Sequence, residues 1–295
     1  MTTRAPRVVV GVDGTEGSIE ALRWASHEAA RRRWPLHVIT CAELPVAVEA
    51  GLVGAGAIDE ATVSGLVADR TAVNERAVQL AGSFGLSLEV SGEVVLGAAG
   101  YAITGSTDAD DIVVVGATSH PGRLADVLGT VATMVAHRAR GPVAVVHGTE
   151  RRDAAIGRIL VGVDGSPDSD AALEWAVEEA FRCGAELILV HGWSYPYVGL
   201  RTGISEPRNE MRLDAMRTLE ASAKLARDLA PSLRVHPIVC EQGPAKAIID
   251  TAKDADLVVV GTRGHGGFAA LVMGSVSRTV LQHSPVPVVV VPATP

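Results

Sequence analysis

The chain has 295 residues, of which 47% are hydrophobic and 20% charged, and its formal net charge is −8 at pH 7. That length predicts about two domains of roughly 150 residues, each able to bury a core. The composition excludes a disordered chain, and the negative balance excludes a protein that holds nucleic acid by neutralising phosphates over a broad surface.

Met1 to Arg7 is short and polar and runs directly into Val8-Val9-Val10, so no secretory signal is expected. No apolar run approaches the roughly 20 residues of a membrane helix. Val8–Val12 reads as an apolar strand and Ser18–Arg32 as a helix, with Ile19, Leu22 and Ala25 on one side. Trp24 lies on that apolar side and is expected to pack in the core rather than against a ligand, as is Trp175 in the second half. Leu36–Cys41 is a second strand, and the segment 44–56 that follows it is a long loop. Glu60–Phe84 is a helix, Leu86–Val94 an alternating third strand, Gly97–Ser106 a short helix and Asp111–Val115 a fourth strand. Leu128–Arg138 is a helix and Val143–His147 the last strand before a charged joint at 147–153. Three cysteines, Cys41, Cys183 and Cys240, show no CxxC spacing and fit small buried residues in a reducing, cytoplasmic setting.

Beyond the joint the chain repeats itself. "VVVGVDGTEGSIEALRWA" from Val8 returns as "ILVGVDGSPDSDAALEWA" from Ile159, and "DIVVVGATSHPGRLADVLGT" returns as "DLVVVGTRGHGGFAALVMGS". Gly11 matches Gly162, Asp13 matches Asp164, Gly116 matches Gly261 and Gly129 matches Gly274. The units are far too long for a solenoid, so the reading is one module duplicated, with domains at 1–150 and 151–295. Strands that are apolar throughout and alternate with helices predict parallel α/β sandwiches in which both sheet faces are covered. In such sheets ligands sit at the carboxyl ends of the strands, where the winding reverses.

One loop carries the chemistry. In "GTRGHGGFAALVMGS", Gly261 closes a strand, Gly264, Gly266 and Gly267 follow, and Gly274-Ser275 opens a helix over Val276–His283. Glycines let backbone N–H groups face an oxyanion, and the helix start adds unpaired donors and a positive dipole end. Ser275 is expected to cap that helix and offer its hydroxyl to a phosphate, with Arg263 as a nearby cation. From Leu257 to the end there is no Asp or Glu to repel an anion. The run G-x4-G-K-[ST] of a P-loop is absent, and a dinucleotide fingerprint lacks its downstream acid.

Together, the GVDGS-type first strand, the EWA helix, the Gly-x2-Gly-x9-Gly-[ST] loop and the final VPVVVV strand resemble the universal stress protein family, in its tandem form, over nearly the whole chain. The resemblance implies two tandem doubly wound α/β domains, each with a five-stranded parallel sheet flanked by helices. It implies ATP, with Mg2+, held between the first and fourth strands. Gly162 and Asp164 would face the adenosine, and Gly261, Gly264, Gly274 and Ser275 the phosphates, with His265, Gly266 and Gly267 lining the same loop. It also implies stress or growth-arrest physiology.

The first copy keeps Gly11, Asp13, Gly116, Gly129 and Thr130 but departs at Ser119, which stands where the pattern has glycine. At positive φ a serine would cost on the order of 1 kcal/mol, or its hydroxyl would add a phosphate contact. His120, Gly122 and Arg123 complete that loop, with Arg123 a compensating cation. Asp13 and Asp164 read either as ligands to a ribose or base, or as helix-start turns. His120 and His265 read either as phosphate partners or as solvated loop residues.

Two classes of function stay open. One is a nucleotide-dependent regulator read by a protein partner, and the other a slow ATP hydrolase or ATP-dependent transferase. No dedicated base lies beside the glycine loop, which favours binding without a catalytic residue. An FMN carrier is a third reading. The last strands, Val143–His147 and Val286–Val291, are apolar edges that predict a homodimer or pairing of the copies. The loops 44–56 and 194–207 differ between copies and read as lids or partner surfaces.

Overall fold

The computed structural model describes residues 4–43, 60–117, 128–147, 155–194, 208–264 and 273–293. The chain divides into two compact units, Met1–Gly148 and Thr149–Pro295.

The first unit contains β1 (Val8–Gly11), α1 (Glu16–Arg32), β2 (Leu36–Ala42), α2 (Glu60–Ser83), β3 (Val90–Leu96), α3 (Ala99–Gly105), β4 (Ile112–Gly116), α4 (Thr130–Arg138) and β5 (Val143–Val146). Its strands run parallel in the order β3-β2-β1-β4-β5. The second unit contains β6 (Arg158–Gly162), α5 (Pro167–Cys183), β7 (Glu186–Gly192), α6 (Arg208–Leu229), β8 (Val235–Cys240), α7 (Pro244–Thr251), β9 (Leu257–Gly261), α8 (Ser275–His283) and β10 (Val288–Val291). Its order is β8-β7-β6-β9-β10, again parallel. Each unit is therefore a parallel α/β sheet as the alternation of elements predicts, with the five strands and double winding that the family resemblance implies.

In each unit the first two helices pack together over one face and the next two over the other. The central strands are covered on both sides, which is why Val8-Val9-Val10 and Leu257-Val258-Val259 are apolar without alternation and fully buried. Side-chain oxygens start the first helix of each unit: Thr15 accepts from the Ser18 N–H, and Ser166 from the Ser169 N–H. Both helices end on a left-handed residue, Gly184 in α5 but Arg33 in α1, at φ 56°. Among the described residues Arg33 is the one non-glycine at positive φ.

Several boundaries differ from the sequence reading. β3 begins at Val90 rather than Leu86 because Val90 pairs with Leu36 at the start of β2. β10 begins at Val288 rather than Val286; Pro287 offers only its carbonyl, which accepts from the Val258 N–H at 3.0 Å. α4 begins at Thr130 rather than Leu128, because Gly129 is still extended. Trp24 and Trp175 are only half-buried rather than enclosed.

In each unit the chain winds outward through two strands and then crosses back to the other side of the first. The reversal falls between β1 and β4, and between β6 and β9. The carboxyl ends of these pairs therefore diverge into a crevice.

Candidate functional site

Both crevices are open cavities. That of the first unit measures about 610 Å³ and is bounded by Gly11, Asp13, Cys41, Glu43, Gly116 and Thr130. That of the second measures about 500 Å³ and is bounded by Gly162, Asp164, Gly192, Gly261, Gly264 and Ser275. Both sizes suit a small organic ligand.

One end of each cavity is bordered by main chain at the start of a helix. Gly129 and Gly274 precede α4 and α8 in extended backbone, and neither helix has a side-chain cap. The Gly129 N–H donates to Ala117 O at 2.7 Å and the Gly274 N–H to Thr262 O at 2.8 Å, folding the chain back on the strand. The first intrahelical bonds are made by Thr133 N–H and Arg278 N–H. The preceding N–H groups have no acceptor among the described residues, and Thr130, Val131, Ser275, Val276 and Ser277 line the cavities. Unpaired donors at a helix start, reinforced by the dipole, take negative charge. Ser275 is the first helical residue and not the cap expected of it; Gly274 holds that place. Ser277, which the sequence reading overlooked, donates its hydroxyl to Gly261 O at 2.6 Å and ties α8 to the end of β9.

The glycines have separate reasons. A Cβ on Gly116 would stand 2.6 Å from Gly17 O, and one on Gly261 would stand 2.6 Å from Asp168 C and O. Those glycines let the start of α1 or α5 press on the strand end. A Cβ on Gly11 or Gly162 would meet the Cδ1 of Ile103 or Ile248, at 2.7 and 2.5 Å. So Gly11 and Gly162 line the cavities while making room for the isoleucines of α3 and α7. At Gly264 a Cβ would overlap the Oδ2 of Asp164. The bare Cα there accommodates a carboxylate of the neighbouring loop.

Asp13 and Asp164 do the same local work. Asp13 Oδ1 accepts from Thr15 N–H at 2.9 Å and Thr15 Oγ1 at 2.6 Å; Asp164 Oδ1 accepts from Ser166 N–H at 3.0 Å and Ser166 Oγ at 2.6 Å. The turn role is thus present, and both residues also border their cavities. Arg263 lines the second cavity, with its Nε 3.7 Å from Asp168 Oδ1, which also accepts from Thr262 Oγ1 at 2.6 Å. That pairing restrains the cation that the sequence placed beside the loop. Ser119, His120, Gly122, Arg123, His265, Gly266 and Gly267 lie outside the described residues.

The walls opposite the anion ends differ between copies. In the first unit Arg70 reaches from α2 to the cavity, and its Nη1 lies 3.5 Å from Asp13 O. Glu43 follows β2, and its Oε1 accepts from the Ala99 N–H at the start of α3, at 2.7 Å. Burial, followed by the charge of Glu43, pushes the Cys41 thiol up to about 11, which favours the neutral thiol in the cavity wall. None of these could be assigned to the site from sequence, since nothing local ties residue 43 or 70 to Asp13.

Comparison with known proteins is consistent along the chain. The model of the universal stress protein family matches residues 5–147 and again 155–292. A universal stress protein of Mycobacterium tuberculosis is 33% identical over 290 residues, covering 96% of each chain. One of Mycolicibacterium smegmatis is 33% identical over 295 residues, with the same coverage. Among solved structures, a universal stress protein from Archaeoglobus fulgidus superposes with a TM-score of 0.73 at 20% identity, over 99% of this chain and 100% of that one, a likeness of fold. With two tandem matches and full-length relatives a third identical, the chain belongs to the universal stress protein family.

Proposed function

We propose that the protein binds nucleotides and acts as a nucleotide-dependent regulator of stress or growth-arrest responses, with ATP as the ligand of the second cavity. The observation that carries this reading is the pair of helix starts without a side-chain cap, α4 and α8, whose first N–H groups have no acceptor among the described residues and border the two cavities at equivalent places. Phosphates fit that end by charge and by hydrogen bonding. Asp164 stands across the crevice for the ribose, and Arg263 supplies positive charge. Mg2+ enters as the companion of the phosphates. Binding rather than turnover is part of the reading, because Asp164 Oδ1 is committed to holding its own turn. A cytoplasmic location, homodimerisation through a last strand and a protein partner that reads occupancy complete it.

The test is nucleotide content. Protein purified without added nucleotide is denatured, and the released small molecules are identified and counted. ATP is expected, lost in Ser275→Glu, which sets a carboxylate on the first turn of α8. Released ADP that is replenished by turnover of added ATP would convert the reading to a hydrolase. No release and no binding of added ATP would end it.

A further inference from the structure

The two copies share an anion end but not the opposite end. In the first unit the Glu43 carboxylate is held at the cavity wall by the Ala99 N–H, beside Cys41. Strand register assigns the equivalents: Gly11 pairs with Ile39 as Gly162 pairs with Val190, so Glu43 corresponds to Ser194. The start of α7 replaces Ala99 by Pro244, which has no N–H. Carboxylate and donor are thus both gone in the second unit. Arg70 is also private to the first. The buried positions Asn74, Ala77 and Ala81 of α2 match Leu219, Ser222 and Ala226 of α6, which puts buried Ala215 at the place of Arg70.

Glu43, Asp13 and the start of α4 follow β2, β1 and β4, which are neighbours in that order. Two strand spacings, roughly 10 Å, separate the outer pair. That span matches the distance from a nucleotide's phosphate to the far edge of its base. With phosphate on α4 and ribose beside Asp13, the base edge meets Glu43. An ionised carboxylate only accepts hydrogen bonds. Guanine presents two adjacent donors, N1–H and the 2-amino group. Adenine presents its 6-amino group flanked by ring-nitrogen lone pairs that repel the carboxylate. Glu43 Oε2 has no partner among the described residues and is free to accept.

We propose that the first cavity selects guanine nucleotides through Glu43, making it a base-reading site distinct in specificity from the second. The proposal rests on the nucleotide reading above. A bidentate carboxylate–base pair discriminates by roughly tenfold or more.

The test uses the full chain carrying Ser275→Glu, so that only the first cavity is open, titrated calorimetrically with GTP and with ATP. GTP is expected to bind at least roughly tenfold tighter. Adding Glu43→Gln keeps an acceptor for the Ala99 N–H, and with it the wall, while removing the charge; the preference should then collapse. Adding Thr130→Glu instead should abolish binding of both. Equal affinities, a preference for ATP, or a GTP preference that survives Glu43→Gln would overturn the proposal. So would failure of the Ser275→Glu chain to bind either nucleotide while the unmodified chain binds ATP, and in that case the nucleotide reading stands for the second cavity alone. If the unmodified chain binds neither, both fall.

Discussion

Replacing Gly261 by alanine tests why the glycine is there. The new Cβ would stand 2.6 Å from Asp168 C and O, against main chain that belongs to the first turn of α5. Both partners are fixed: β9 is paired with β6 and β10, and Asp168 itself accepts from Thr262 Oγ1. Ordinary contact requires separation by several tenths of an ångström, and overpacking of this kind costs about 1–3 kcal/mol. Because backbone rather than a flexible side chain must yield, we expect about 2 kcal/mol. Hydrogen exchange of the amides of Val258, Val259 and Val260 reads that loss within the second unit. At about 1.4 kcal/mol per decade, protection should fall roughly thirtyfold. The amides of Val113–Val115 should be unchanged. Gly264→Ala is the contrast, since there the obstacle is the Asp164 carboxylate. A side chain can shift where main chain cannot, so the part-buried bonds of Asp164 to Ser166 should be strained rather than lost, at about 1 kcal/mol, with exchange at β9 unchanged. If Gly261→Ala left exchange at β9 unaltered, close approach of α5 would not be what requires glycine there.

Three further outcomes are expected. Arg33→Gly should stabilise the first unit by about 0.5–1 kcal/mol, since it relieves a left-handed arginine; thermal denaturation should show a rise of a few degrees. Asn74→Ala should destabilise the same unit by about 2 kcal/mol in urea denaturation, because buried Asn74 Nδ2 serves Val38 O, Thr40 Oγ1 and Glu93 O. His37 is held below the ordinary histidine range, first by burial and then by the charge of Arg7, although Glu93 opposes the shift. A depressed histidine binds fewer protons folded than unfolded, so its contribution is complete above about pH 6.5 and is lost as pH falls below that. Stability measured between pH 7.5 and 5 should therefore fall less steeply in His37→Gln than in the unmodified chain.

The doubly wound sheet was legible because its signals are local or repeated. Unbroken valine runs, helical spacing and two copies of each motif define the order of elements without any long-range information. The helix start at the crevice was legible for the same reason, as a strand, a glycine-rich loop and that helix lie consecutively in sequence. What escaped depends on pairs far apart. Glu43 meets Ala99 only because β2 ends and α3 starts at the same crevice, and Arg70 meets Asp13 only because α2 packs over β2 and against α1. The purpose of individual glycines escaped as well. Gly264 read as a phosphate-facing amide, and its clearest structural demand is room for a carboxylate. Ser275 read as the cap because serine favours that position, yet the extended residue before the helix is Gly274.

The pressing of Gly116 on Gly17, and of Gly261 on Asp168, has a consequence for how the two halves diverge. The floor beneath each crevice is peptide backbone in contact with peptide backbone, with no side chain interposed. The same floor is present in both units although the walls around it differ. On the proposed reading, capture would rest on amides present in both units and choice on a few side chains at the far wall, where Glu43 and Ala99 of the first unit stand at the places of Ser194 and Pro244 in the second.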